Sequence, residues 1–504
     1  MKRTLFVFLF FAIIPNLLFA QFTQQGPKLV GTGGVGQSHQ GSVAISSDGN
    51  TAIEGGYYDN TGIGAIWVFT RSGGVWSQQG PKLVGTGGVG QSHQGSVAIS
   101  SDGNTAIVGG QNDNSVVGAV WVFTRSGGVW TQQGPKLVGT GGVGQSNQGV
   151  SVAISSDGNT AIEGGYEDNS VVGAVWIFTR SGGVWSQQGP KLVGTGAVGN
   201  FVYQGVSVAI SSDGNTAIEG GQGDNNYTGA VWVFIRSGGV WSQQGSKLVG
   251  TGAGNSVYQG GSVAISSDGN TAIEGGDEDN SNAGAVWIFT RSGGVWTQQG
   301  SKLVGTGAVG NAGQGWSVAI SPDGNSFVEG GMGDNGDVGA VWVFTRSGGV
   351  WTQLGTKLIG SGAAGHSLQG ISVAISSEGT VIEGGPYDNS LTGAVWVFVY
   401  PEIGITPISS EVPKSFQLMQ NYPNPFNPST KVKFDIPASG LQTVNVQLKI
   451  YDITGREAAT LVNQQLQPGS YEVEWNAANY TSGVYFYKLV TSGFEQTKKL
   501  VLIK

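Results

Sequence analysis

From residue 42 onward, short apolar, β-branched runs alternate with glycine-rich polar breaks, and the alternation itself recurs. The run SVAIS begins at Ser42, Ser96, Ser151, Ser207, Ser262, Ser317 and Ser372, a spacing of 54 to 56 residues. Each copy offers four strand candidates. In the first they are SVAIS (42–46), NTAIEGG (50–56), GAIWVFTR (64–71) and VWSQQGPKLVG (75–85). Asp48-Gly49 separates the first two, a hairpin signal because a primed turn needs positive φ. The SGG between the third and fourth is another turn that glycine makes easily. No copy carries a helical period. A repeat of this length with all-strand content predicts an all-β fold, a seven-bladed β-propeller with one blade per copy.

Residue size predicts the order of strands within a blade. One face of SVAIS is Ser and Ala, which suits an innermost strand where sheets converge. In AIWVF both faces are apolar, with Ala65, Trp67 and Phe69 on one and Ile66 and Val68 on the other. A strand buried on both faces loses its polar alternation. These tryptophans are read as core, not as a sugar-stacking platform. The repeat phase adds a prediction about closure. FTQQGPKLVG (22–31) is a fourth strand with no blade before it, and GAVWVFVY (393–400) is a third strand with no fourth after it. Residues 22–31 should complete the last blade and remove its open edge. The chain repeats because one sheet cannot bury its faces alone and a closed ring can.

Composition narrows the class. Hydrophobic residues make up 38% of the 504, enough for packed cores, and the 90 glycines show no three-residue period. The net charge of −8 argues against nucleic acid as a partner. The absence of cysteine excludes disulfides, thiol nucleophiles and Cys-ligated metal. The N-terminus, MKRTLFVFLFFAIIPNLLFAQF, has a basic start at Lys2 and Arg3, an apolar run and a small Ala20 before Gln21. It reads as a signal peptide over 1–20, the apolar run being short for a bilayer anchor. No other segment is expected to span a membrane as a helix. The propeller is then 21–400, and the Pro/Ser-containing PEIGITPISSEVPKS (401–415) reads as a linker.

The repeat unit QGSVAISSDGNTAIEGG…DN…GAIWVFTRSGGVWSQQGPKLVG resembles the integrin-alpha-like FG-GAP repeat over residues 22–400. That resemblance implies a seven-bladed propeller whose ligands meet the face built from the second-to-third loops and the blade-connecting loops. The family's calcium loop resembles D-x-D-x-D-G. Here the corresponding turn is SSDGN, with a single Asp, so calcium is not carried over and no cofactor is expected.

Beyond residue 415 the wording changes. Alternating stretches broken by Gly, Asn and Pro predict a small Ig-like antiparallel β-sandwich over 416–504. The pieces QNYPNPFNPST, IYDITGRE, PGSYEVEW, SGVYFYKL and KKLVLIK resemble the type A C-terminal sorting domain of the type IX secretion system. The resemblance implies a Bacteroidota-type bacterium, export across the outer membrane, and secretion or attachment at the cell surface. It also implies the secretion machinery as a partner.

Candidate chemistry is sparse. His39 and His93 stand in QSHQG, but the third copy has Asn147 there, and a catalytic base would not be optional between copies. His366 is the remaining histidine. No catalytic triad, phosphate loop or zinc motif stands out. GTGGVG precedes a strand rather than a helix, so it lacks the helix N-terminus that a dinucleotide needs.

Two recurrent features compete with structural explanations. The first is a DN pair in each second-to-third loop: Asp59-Asn60, Asp113-Asn114, Asp168-Asn169, Asp224-Asn225, Asp279-Asn280, Asp334-Asn335 and Asp388-Asn389. It is either turn chemistry, since Asp and Asn bond local backbone and tolerate the left-handed region, or a ring of polar groups on the ligand face. The second is Glu54, Glu163, Glu219, Glu274, Glu329 and Glu383 in the second strands, with Val108 in the second copy. These sit either at a solvated mouth of the ring or in a carboxylate ring that gathers a cation or cationic ligand. The loops vary most just before each DN, at YY, QN, YE, QG, DE, MG and PY, where a selected site should lie.

The expected function is a non-catalytic, monomeric, secreted or surface-displayed propeller that binds a glycan or a surface protein. The alternatives are a hydrolase using the central pocket and a purely structural surface protein. The missing Cys, the few His and the lack of one asymmetric acidic cluster favour binding, and a near-symmetric ring suits multivalency.

Overall fold

The computed structural model describes residues 22–254, 256–400, 406–409, 412–438, 444–477, 480–491 and 493–504. The signal-peptide assignment, 1–20, lies outside them. Phe22–Val399 is one compact unit, and the chain from Tyr400 onward belongs to a second.

The first unit is seven four-stranded antiparallel sheets. In the first blade the strands are Gln40–Ile45, Thr51–Gly56, Ala65–Ser72 and Val75–Gln78, joined in that order. The first strands of successive blades lie side by side around the axis, so the Ser/Ala strand is innermost as its residue sizes demand. The last blade is built from Ser372–Ile375, Val381–Gly385 and Ala394–Val399, with Thr23–Gln24 as its fourth strand. Thr23 pairs with Val399 and Gln24 with Phe398, and Leu29 bridges Val395 further on. The ring closes with the phase read from the sequence. The fourth strand is shorter than its apolar run. In the first blade it breaks at Gly80, which adopts φ 74°, and returns only as the bridge Ile66–Leu83. A left-handed residue turns the chain out of the ladder.

The two faces of each third strand enter different seams. Ala65, Trp67 and Phe69 pack against Ile382, Val395 and Val397 of the last blade. Ile66 and Val68 pack against Val97, Val108, Trp121 and Phe123 of the second. Trp67 is fully buried, as are its six counterparts, which bears out the core reading of these rings. Glycine makes the seam possible: a Cβ on Gly31 would stand 2.2 Å from the Trp67 ring.

The second-to-third loop is unusual. Asp59–Gly62 forms one turn with helical hydrogen bonding, yet Asn60, Thr61 and Gly62 have φ of 50°, 59° and 92°. The turn is left-handed, a conformation that L residues adopt at a cost. Every blade repeats it.

The second unit is a sandwich of two four-stranded sheets. Alternate residues of Ser429–Ile436 and Val444–Tyr451 point inward, and Val432, Phe434, Ile436, Leu448 and Ile450 form its core with Val473, Tyr487 and Leu489. Asn421 of the NYPNPFNPST stretch is buried, its N–H donating to Tyr487 Oη at 3.0 Å and its amide to Thr430 Oγ1 at 2.9 Å. The reading of 401–415 as linker needs correction, because Thr406–Ser409 pairs with Gly469–Asn476 as an edge strand. Pro407 disguised it in the sequence, yet an edge strand tolerates a residue that cannot donate to the ladder. Among the described residues no helix is long and apolar enough to cross a membrane.

Candidate functional site on the loop-rich face

The second-to-third loops and the blade-connecting loops meet on one face, and Asp59 is where they are tied. Its Oδ1 accepts the Val35 N–H at 2.7 Å and the Ser38 hydroxyl at 3.2 Å. Its Oδ2 pairs with Lys82, the lysine that follows the fourth strand. The backbone bond recurs in all blades at 2.6–2.9 Å. So does the ion pair, as Asp113–Lys136, Asp168–Lys191, Asp224–Lys247, Asp279–Lys302, Asp334–Lys357 and Asp388–Lys28. These aspartate side chains are 0–1% exposed. They offer nothing to a ligand, so the expectation of seven Asp on the binding surface is corrected. Each Asp clamps three chain segments that lie apart in sequence. Asn60, Asn114, Asn169, Asn225, Asn280, Asn335 and Asn389 are exposed, each with φ near 50°. For them the turn explanation holds, since Asn tolerates that region best after glycine.

The glutamates also need correction. Glu54, Glu163, Glu219, Glu274, Glu329 and Glu383 are 0–1% exposed and stand at no solvated mouth. Glu54 is opposite Trp67 in the ladder, on the face that packs against the preceding blade. Each glutamate therefore occupies its own seam, and no common ring of carboxylates forms. The Gly31 N–H reaches Glu54 Oε1 at 2.8 Å, but it also donates to Gln40 Oε1 at 2.7 Å. Burial pushes the Glu54, Glu274 and Glu329 carboxyls up to about 8 and raises Glu163, Glu219 and Glu383 in the same direction. Burial thus favours the uncharged acid in these seams, and the same slot takes Val108 in the second blade.

What the loop face does present is aromatic. Tyr57 and Tyr58 are the first blade's variable pair, and Tyr387 ends that of the seventh. His39 lies among them, with ring centroids 5.0 Å from Tyr58, 5.1 Å from Tyr57 and 5.5 Å from Tyr387. His93 continues the arc 5.3 Å beyond Tyr58. Burial lowers the pKa of both imidazoles, keeping them neutral at physiological pH. A second arc runs across the third to fifth blades, with Tyr166 and Tyr203 at 6.0 Å, Tyr203 and Tyr227 at 6.5 Å, and Tyr227 and Tyr258 at 5.1 Å. Tyr57 abuts Gly95 at the start of the next innermost strand, so the variable pairs line the inner rim.

The residue before each Gln-Gly carries much of both arcs. His39, His93, Asn147, Tyr203, Tyr258 and Leu368 occupy it with φ of 52–63°. Gly313 occupies it in the sixth copy, so glycine is accepted there. Large side chains held in a left-handed conformation that glycine adopts freely mark positions kept for something other than stability. Reasoning from copies dismissed the histidines as a catalytic base. It missed them as members of an aromatic cluster, with His39 buried beneath its tyrosines, because the signal is shared between two loops distant in sequence. Beside the first arc lies an open depression of about 480 Å³ lined by His366, Tyr387, Asn389, Ser390 and Leu391 among others.

The opposite face is closed by its own side chains. Arg71 lies over Trp76 at 5.6 Å and donates to Asn50 Oδ1 at 3.0 Å. Asp48 accepts from the Ser46 hydroxyl and the Asn50 N–H, completing the SSDGN turn. Among the described residues no group of three acidic or imidazole side chains is placed to hold a metal ion.

The model of the secretion system C-terminal sorting domain matches residues 420–504. Comparison with the curated proteins found no match. Among solved structures, the β-propeller domain of the trilobed protease from Pyrococcus furiosus is 10% identical, with a TM-score of 0.37 over 68% of this chain and 90% of that one. Prolyl oligopeptidase B from Galerina marginata is 14% identical, with a TM-score of 0.38 over 68% of this chain and 46% of that one. The chain therefore spans about half the length of that peptidase.

Proposed function

We propose, from the premise that the C-terminal unit is a type IX sorting domain and the protein is exported, that the propeller is a non-catalytic binding module. It is displayed at or released from the cell surface, where its loop-rich face attaches to an extracellular macromolecule. The repeat wording supports an integrin-alpha-like propeller without the calcium loops. The observation that carries the reading is the pair of aromatic arcs, assembled from the residues in which the copies differ. Everything shared between copies, including the Asp–Lys clamps and the seam glutamates, builds scaffold. The ring closes with the chain's own N-terminal strand, so one chain builds the whole face. No reaction is assigned. The Tyr57 hydroxyl lies 3.0 Å from His39 Nδ1 in the first arc, but the histidine position also takes Asn, Tyr, Gly and Leu.

Cells that display the protein should adhere under flow better than cells lacking it. Replacing Tyr58, Tyr387, Tyr227 and Tyr258 together with Ala should remove that advantage while surface immunostaining stays unchanged. Undiminished adhesion by the quadruple variant would defeat the proposal.

A further inference from the structure

We infer that the first arc and the depression beside it form a binding site for a neutral carbohydrate. This deepens the binding proposal and rests on it. Tyr387 is shared by both features: its ring lies edge-on to His39 and also lines the depression. Tyr387 and Tyr58 are 41% and 46% exposed, so each offers ring surface to a ligand. A sugar ring has an apolar C–H face and a polar hydroxyl edge. It therefore needs an aromatic surface beside neutral hydrogen-bonding groups, and the depression supplies both. His366 Nδ1 lies 2.8 Å from the Gly336 carbonyl, which can only accept. Nδ1 therefore carries a proton and donates to that carbonyl, which leaves the Nε2 edge of the ring for a ligand. Asn389 adds an amide and Ser390 a hydroxyl, each able to donate and accept. The site is an open depression of about 480 Å³ rather than an enclosed cavity, which suits a sugar ring laid on an exposed aromatic surface.

The same features argue against other ligands. Among the described residues no lysine, arginine or carboxylate lines the depression, so a charged ligand finds no counter-charge among them. Peptides are captured by sheet edges, apolar helix grooves, arginine clusters or, when proline-rich, aromatic-lined grooves; only the last resembles this face, and the polar Asn389 and Ser390 beside Tyr387 suit a hydroxylated ligand better than a proline-rich one. The blade arginines lie on the opposite face over their tryptophans, and the clamp lysines are committed to buried aspartates. The second arc lies on other blades and gives the ring a second aromatic platform, so a polymeric glycan could engage two places at once.

The test uses residues 21–504 on an array of neutral gluco-, manno-, galacto- and chito-oligosaccharides, followed by titration calorimetry with the best responder. At least one neutral oligosaccharide should bind saturably. Tyr387→Ala and Asn389→Ala should each weaken it about tenfold or more. Tyr387→Phe, which keeps the ring, should retain most of the affinity. Val75→Ala on the opposite face should change nothing, and matched melting curves keep the comparison fair. Silence across the array, binding confined to acidic glycans, or neutral-sugar binding indifferent to Tyr387→Ala and Asn389→Ala would each overturn the inference. Silence with adhesion intact and sensitive to the tyrosines would leave the binding proposal standing with a protein as ligand. Silence with adhesion indifferent to the tyrosines would remove both.

Discussion

Replacing Glu54 with Val should destabilise the propeller slightly in acid and stabilise it above neutrality. The carboxyl has an ordinary value of 4.5 and is pushed up to about 8 by burial in the folded seam. Below pH 4.5 it is protonated in both states and contributes no pH dependence. Between 4.5 and 8 the unfolded chain gives up the proton while the fold retains it. Stability therefore falls by about 1.4 kcal/mol per pH unit, reaching roughly 3 kcal/mol at pH 7. Valine removes that penalty. It leaves a smaller side chain in the seam, at a cost of about 1 kcal/mol for the cavity. No donor is orphaned, because the Gly31 N–H keeps its bond to Gln40 Oε1 at 2.7 Å. The second blade already has this arrangement, with Val108 between Val97 and Trp121 and the Gly85 N–H held by Gln94 Oε1 at 2.6 Å. Calorimetric melts of wild type and variant at pH 4.5, 7 and 8 should cross, with the variant lower in acid and higher in base. A triple change at Glu54, Glu274 and Glu329 should enlarge the divergence. Curves that stay parallel across the three pH values would show that the glutamates remain ionised in the fold, and the reasoning fails.

The Asp–Lys clamps predict the opposite sign: Asp59→Ala leaves Lys82 and the Val35 N–H without their partner and should cost about 3–5 kcal/mol, read as a lower melting temperature and faster proteolysis near residue 60. Asn60→Gly, at an exposed left-handed position, should stay within about 0.5 kcal/mol of wild type, and a loss as large as that of Asp59→Ala would mean the Asn is more than a turn residue. Deleting residues 22–31 removes the pairing to Ala394–Val399 and should expose that strand, so light scattering should report association; an unchanged monomer with unchanged melting would contradict the closure. Removing 416–504 should hold the propeller in the periplasm, and fractionation that still finds it at the surface would refute the sorting role.

The repeats made most of the fold legible. Strand order, ring closure by residues 22–31 and the two-sided burial of AIWVF follow from local patterning copied seven times. A blade has one way to hide Trp67 on one side and Ile66 on the other, which is to stand between two more blades. The misplacements share a cause. Asp59 and Glu54 are charged residue types, and charge in a sequence reads as solvent. Whether a carboxyl is solvated depends on what stands over it. For Asp59 that is Lys82 and the loop at Val35, and for Glu54 it is the wall of the seventh blade. The strand at Thr406–Ser409 was likewise hidden, because Pro407 is compatible with a sheet only at an edge and edges are defined by neighbours.

The aromatic surface divides the two kinds of information most clearly. The sequence marked the variable pairs before each Asn-bearing turn as the place where the copies differ. It could not join Tyr58 to His39 and His93, or Tyr387 to His39, since these residues lie 19 to 348 positions apart. Repetition decided the blade, because each blade repeats one local pattern of burial and turn. Only the closed ring decided the face, because closure brings the first blade beside the seventh and sets loops from different blades within ring-to-ring contact.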